Sequence, residues 1–120
     1  MIDAVINQFG DTMGIKELAL NEEGILQLSF ENAGELFLEK ADNDILMYLL
    51  KKVEYTSANL FWSALSLCYG QESYPFKVNP ICSRDNHIGF CIRHSENSFT
   101  LQSINQSIEF LTELHRKLLG

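Results

Sequence analysis

Period-two alternation of apolar and polar side chains in the first third of the chain restricts it to folds with an antiparallel sheet. Leu26, Leu28 and Phe30 fall on one side of an extended segment, and polar residues separate them. This alternation is typical of strands with one buried and one solvated face. Four-residue segments ending in Gly24 and Gly34 interrupt the pattern and suit tight turns. The stretch therefore predicts a meander of short strands.

The alternation continues in the segments before and after Leu26–Phe30. It predicts a short strand at Leu18–Leu20 before the first turn and another carrying Leu36 and Leu38 after the second turn. Glu35 and Glu39 flank the two leucines. The meander is therefore expected to have one apolar face and one acidic face.

The chain begins with a pattern of helical period. Apolar residues from Ile2 to Met13 recur at spacings of three and four, and Asp3 lies in the first turn, where the helix dipole favours an acid. Gly14 is placed to end this helix in a left-handed conformation. A second amphipathic helix is predicted near the end of the chain, from about Ser103.

A middle helix is predicted between Ser57, which is a good N-cap residue, and Gly70. Trp62 and Tyr69 flank its apolar stripe, so a wide arc of the helix lacks charge. Such helices lie in a core or in an interface. The stripe consists of Leu60, Phe61, Ala64, Leu65 and Cys68.

The segment from Ile45 to Val53 fits two structures. Its apolar residues match a helical stripe, and they equally match a fully buried strand. Two later strands are clearer, at Phe76–Cys82 and at Ile88–Ile92, and Pro80 assigns the first of them to a sheet edge or bulge. The order of elements predicts one α+β domain, residues 1–120, with helices packed on an antiparallel sheet.

The charge of the chain excludes several classes of partner. Nine basic and 16 acidic residues give a net charge of -7, and basic residues occur in runs of no more than two. Nucleic acids and anionic membrane surfaces both require clustered cations, so neither is an expected partner. The longest apolar run, Ile45–Leu50, is too short to span a membrane, and the N-terminus lacks a basic secretory signal. The protein is expected to remain in the cytosol.

Residues with catalytic or ligating chemistry do not form a recognisable site. The sequence has no motif for a nucleophile, a phosphate loop or a cofactor, and its three cysteines include no CxxC pair. Cys91 and His94 are the one close pair, and structural zinc sites usually need two such pairs on turns. We expect no metal and no catalytic residue. His87 and His94 are expected to be solvated residues at strand ends.

Three segments in order resemble the type III secretion chaperones of the Tir/CesT class, which are small acidic proteins of Gram-negative bacteria. They are FGDTMGIKELALNEEGILQLSF, ANLFW and SIEFLTELHRKLL. The resemblance implies the order α-β-β-β-α-β-β-α, a strand for residues 45–51 and a dimer without enzymatic activity. It also implies that the dimer holds the N-terminal segment of a secreted effector in an extended form.

The resemblance assigns residues to two surfaces. The client-facing set, or the layer just beneath it, is Ile6, Phe9, Met13, Leu28, Phe30, Leu36 and Leu38. The dimer interface set is Leu60, Phe61, Trp62, Leu65 and Cys68. The amphipathic stripes leave open whether the client-facing set is surface or simple core, because one stripe must pack the first helix on the sheet.

The sequence departs from the family pattern in two places. Lys16 stands where a proline is usual, and the glycine and proline common before the middle helix are missing. Some members of the family pair with a different small chaperone and serve the gatekeeper of the secretion channel, so that alternative stays open. A binding or regulatory module of the same fold, unrelated to secretion, is the other alternative.

Overall fold

A computed structural model describes residues 1–69 and 73–120. The elements occur in the predicted order α-β-β-β-α-β-β-α. The helices and strands are α1 (Ile2–Thr12), β1 (Ile25–Phe30), β2 (Gly34–Ala41), β3 (Asp44–Lys52), α2 (Ala58–Cys68), β4 (Val78–Cys82), β5 (His87–Ser95) and α3 (Leu101–Leu119), with a 3-10 turn at Glu96–Ser98 before α3. The predicted α+β class is confirmed.

The five strands form one antiparallel sheet in the order β1-β2-β3-β5-β4. β1 and β4 are therefore the two edges of the sheet. Pro80, which cannot donate a backbone hydrogen bond, lies in edge strand β4 opposite Phe90, as its position in the sequence predicted. β4 begins at Val78, two residues later than the predicted start at Phe76.

The ambiguous segment 45–53 is a strand, β3, at the centre of the sheet. Ile45, Met47 and Leu49 face the helices and are fully buried. The residues between them, such as Leu46 and Tyr48, face the opposite side and are half-buried. A central strand with apolar side chains on both faces gives a continuous apolar run, which is why the period alone left helix and strand equally open.

The predicted strand at Leu18–Leu20 is wrong. These residues form an irregular connection, and Leu18 packs against α1 at Gly10, where an added Cβ would lie 2.6 Å from the Leu18 Cβ. Asn21 then closes the predicted turn, since its side-chain oxygen accepts hydrogen bonds from the N–H groups of Glu23 and Ile25. Gly24 has the positive φ expected of it, 80°.

The helix ends follow local chemistry. Gly14 adopts the predicted left-handed conformation, with φ 75°, just after α1. Ser57 caps α2 by accepting a hydrogen bond from the N–H of Leu60 at 3.0 Å. Thr100 and Ser103 form a reciprocal capping box, so α3 starts two residues before Ser103. Gly70, the predicted end of the middle helix, lies outside the described residues.

The core lies between one face of the sheet and helices α1 and α3. α3 contacts β3, β5 and α1, and α2 contacts β4, β5 and α3. α2 therefore lies towards the β4 edge, away from α1. The expectation of a solvated His94 is wrong, because α3 covers this residue and leaves 4% of it exposed. His87 is half-buried, and its Nδ1 lies 3.1 Å from a carboxylate oxygen of Asp85.

Candidate interaction surfaces

Helix α2 has two sides of different burial and no charged residue. One side, with Leu60, Ala64, Leu67 and Cys68, packs against the core, although only Ala64 is fully buried. The remaining apolar side chains point away from this packing. A helix of this composition with a single fully buried residue leaves much apolar surface uncovered.

The uncovered side of α2, here called the outer α2 face, consists of Phe61, Trp62, Leu65 and the C-cap residue Tyr69. Trp62 is 64% exposed and Tyr69 is 58% exposed, whereas Phe61 and Leu65 are half-buried outside the core cluster. Aromatic side chains of this exposure, in a group without charge, are typical of protein interfaces. Of the predicted dimer interface, Phe61, Trp62 and Leu65 lie on this face.

The other two residues of the predicted interface lie elsewhere. Leu60 and Cys68 pack on the core side of α2, and burial raises the pKa of the Cys68 thiol to about 11. An open groove of about 630 Å³ continues from Trp62 to the end of α3, where Lys117 and Leu118 form its far wall. The groove is adjacent to the outer α2 face, and the two form one continuous surface.

The predicted client-facing residues divide into two groups. Four of them are buried between the sheet and the helices, each at most 2% exposed: Ile6, Phe9, Leu36 and Leu38. The other three, Met13, Leu28 and Phe30, are half-buried at the margin of the core. The stripe of α1 is used to cover the sheet, so the first group lies beneath any binding surface.

The side of the sheet away from the helices, here called the outer sheet face, has an apolar centre. Phe37 and Tyr48 are opposite each other in the register, and their rings stack at 4.9 Å with an interplanar angle of 11°. The Tyr48 hydroxyl donates to Glu39 at 3.1 Å, and burial, with the charge of Glu39, raises the pKa of Tyr48 to about 12. The face expected to be acidic is therefore mixed.

Sequence reasoning missed the outer sheet face as a candidate surface. The available signal was the aromatic or aliphatic residue at alternate positions of β2 and β3, at Phe37, Leu46 and Tyr48. Cys91 lies next to Tyr48 in the register, and burial raises the pKa of its thiol to about 11. A thiol with this pKa stays protonated near neutral pH and is a poor nucleophile.

Metal ligands do not gather in the described part of the chain. His87 and Cys91 share the outer sheet face, while His94 points to the core. Among residues 1–69 and 73–120, no three histidine, cysteine or acidic side chains lie close enough together to hold an ion. Within the same residues, no helix is both long and apolar enough to cross a membrane.

Several solved structures have folds similar to that of this chain. A chain of the ExsC–ExsE complex has a TM-score of 0.78 at 15% identity, covering 99% of this chain and 93% of that one. A chain of the HopA1–SchA chaperone–effector complex has a TM-score of 0.74 at 11% identity, covering 96% of this chain and 90% of that one. At these identities the likeness establishes the fold.

A third similar structure is the Yersinia pestis type III secretion chaperone SycH in complex with a fragment of YscM2. Its TM-score is 0.72 at 12% identity, and the alignment covers 98% of this chain and 99% of that one. Comparison with individually curated sequences gave no match. The family model described as type III secretory system chaperone SycN matches residues 1–119. Since this match spans nearly the whole chain, the protein belongs to the SycN family of type III secretion chaperones.

Proposed function

We propose that this protein is a class I chaperone, of the Tir/CesT type, that works as a dimer and keeps a secreted protein ready for export. It binds the N-terminal segment of its client in an extended form, without catalysis, in the cytosol, and residues 1–120 act as a single domain. The observation that carries the proposal is the uncharged outer α2 face on a chain of this family. The similar structure of HopA1–SchA is a chaperone–effector complex, which supports the proposal.

The dimer is proposed to form through the outer α2 face. Exposed aromatic side chains cost free energy in water, and burying them against a partner recovers about 25 cal/mol for each Å² removed. A helix without charge also has no ionised side chain to desolvate on association, which removes that penalty of interface formation. Within this face, Trp62 and Tyr69 are the two residues with the most surface left to bury.

The client is proposed to bind at the opposite edge of the sheet. There β1 is an edge strand whose outer side can pair with an extended peptide, and Leu28 and Phe30 lie half-buried on this strand. Met13, at the end of α1, is also half-buried and can take part in the same contact. The buried residues Phe9 and Leu36 support this surface from beneath.

A heterodimer with a second small chaperone, serving a secretion gatekeeper, is the second candidate. Each chain carries a net charge of -7, so a homodimer brings two strongly acidic chains together. A less acidic partner would reduce this repulsion. The outer α2 face has no charged residue that would select a second copy over a related helix.

Co-expression with the product of the neighbouring reading frame, followed by size-exclusion chromatography with light scattering, tests the proposal. Two copies of this 13.7 kDa chain with one client are the expected composition. One copy with a different small chaperone would establish the heterodimer instead. A monomer that binds neither the neighbouring gene product nor a second small chaperone would refute both candidates and favour a module unrelated to secretion.

A further inference from the structure

Two buried histidines connect α3 to the sheet at separate points along the helix. His94 on β5 and His115 on α3 are 4% and 2% exposed, respectively. His94 contacts α3 near its start, at Ser107, and His115 contacts the sheet near the end of the helix, at Leu49. Neither contact belongs to the proposed dimer or client surfaces, so both histidines need a separate explanation.

The contact of His115 fixes the tautomer of its neutral ring. Its Nε2 lies 2.7 Å from the backbone oxygen of Leu49, and a carbonyl oxygen can only accept, so Nε2 bears the hydrogen. The Nδ1 atom is buried and has no hydrogen-bond partner among the described residues. The ring packs edge-on to Phe90, with centroids 5.3 Å apart. A proton on Nδ1 would place an unpaired charge in this apolar layer.

His94 lies in a similar environment. Its Nε2 is 2.9 Å from the Ser107 hydroxyl oxygen, and its ring is T-shaped to Phe76 at 5.4 Å and tilted to Phe99 at 6.1 Å. Its neighbour in the sheet register is Ile45. The imidazole is therefore surrounded by aromatic and aliphatic groups and one hydroxyl. Protonation of His94, like that of His115, would bury a charge without a counterion.

We propose that His94 and His115 form a proton-sensitive pair that holds α3 on the sheet while both are neutral and loosens it when acid protonates them. The pair links β5 and β3 to the two halves of α3, so protonation weakens the docking of this helix along its length. Loosening α3 would uncover Leu111 and Leu114, which are at most 1% exposed. The pair therefore makes the integrity of the core depend on pH.

The charges around the pair oppose protonation. Lys51 on β3 is the charged group whose field reaches His115, and it adds to the effect of burial in lowering the pKa of that imidazole. Glu113 and Arg116, adjacent on α3, pair with each other. Burial alone lowers the pKa of His94. Among the described residues, no carboxylate oxygen lies within 4.0 Å of a ring nitrogen of either histidine.

The sign of the pH dependence follows from these surroundings. A histidine whose pKa is lower in the folded state binds protons preferentially when the chain unfolds, so acid destabilises the fold. Stability from the pair is complete well above pH 6.5, the ordinary pKa, and declines as pH falls below it. The folding equilibrium constant then falls by up to about tenfold for each histidine at pH 5.5.

Hydrogen exchange at pH 7.5 and 5.5, expressed as protection factors, tests the proposal in the full chain. We expect amides of α3 to lose protection at pH 5.5 by up to about a hundredfold, while the β1–β2 hairpin changes less. The double variant His94→Gln, His115→Gln keeps an amide N–H near each Nε2 position and cannot titrate, so its α3 should lose no more protection than the hairpin.

His87→Gln is the matched control, because this histidine is the first residue of β5, lies on the outer sheet face away from α3 and should leave the wild-type response intact. If the double variant does not fold, the two single variants serve instead, and each should remove part of the response. Unchanged α3 protection in the wild-type chain at pH 5.5 would overturn the proposal. An undiminished response in folded variants would do the same.

Discussion

Replacement of Trp62 by alanine should weaken the dimer strongly and leave each chain folded. The side chain is 64% exposed in the isolated chain, and a tryptophan presents about 250 Å² of surface, so about 160 Å² remains to be buried by a partner. At about 25 cal/mol per Å², full burial is worth at most about 4 kcal/mol for each copy.

The measured loss should be smaller than this limit, because association also orders the side chain and the partner relaxes around the vacancy. Interface tryptophans typically cost about 2 kcal/mol or more on truncation to alanine. A symmetric dimer contains the residue twice and should therefore lose about 4 kcal/mol, which raises the dissociation constant about a thousandfold. Sedimentation equilibrium across a concentration series measures this constant directly.

Tyr55→Ala provides a matched control for this experiment. Tyr55 is 73% exposed, more than Trp62, but it lies before α2 and outside the outer α2 face. Its removal should change the dissociation constant by less than threefold. The reasoning fails if Trp62→Ala dimerises as tightly as the wild-type chain, or if Tyr55→Ala weakens the dimer to the same extent. An unchanged far-ultraviolet circular dichroism spectrum of the monomeric variant would show that the fold is intact, since loss of the dimer by itself lowers the melting temperature.

Three further predictions concern the single chain. Phe9→Ala should lower the free energy of unfolding by about 3–5 kcal/mol, because this ring is 2% exposed; urea denaturation measures the loss, and a change below 1 kcal/mol would contradict the core assignment. Ser57→Ala should cost about 1 kcal/mol by removing the acceptor for the N–H of Leu60, whereas Ser57→Asp should restore most of it in the same assay. Exposed Cys82 should react with a thiol reagent at pH 8 well before Cys68 and Cys91, whose thiol pKa values of about 11 leave little thiolate; equal rates without denaturant would contradict this order.

Local periodicity was sufficient for most of the fold. Alternation at Leu26–Phe30 and at Ile88–Ile92 predicted strands that the structure contains, because side chains on a half-buried strand must alternate. The same rule failed at Leu18–Leu20, where three residues are too few to distinguish a strand from an irregular segment anchored by one leucine. The central strand β3 required family resemblance, since burial on both faces removes the alternation.

The candidate surfaces were less predictable than the fold. Periodicity identifies an apolar stripe but not what covers it, so Ile6 and Phe9 could equally be core or groove until α1 was placed over the sheet. The burial of His94 depends on α3, which begins only after this residue in the chain and packs back over it. Information of this kind resides in tertiary contacts between distant segments, and local patterns do not contain it.

The topology places the proposed dimer surface and the proposed client surface at opposite edges of the sheet. α2 and its outer face lie towards β4, whereas Leu28 and Phe30 lie on β1, at the other end of the order β1-β2-β3-β5-β4. Four inter-strand spacings of about 4.8 Å place these edges roughly 19 Å apart. Substitutions at positions this distant without shared partners usually act independently. Leu28→Glu should therefore abolish client binding without changing the dimer constant, and Trp62→Ala should do the reverse when client affinity is measured on equal concentrations of dimer. Loss of both properties in the folded Leu28→Glu variant would show that client and partner occupy one continuous surface.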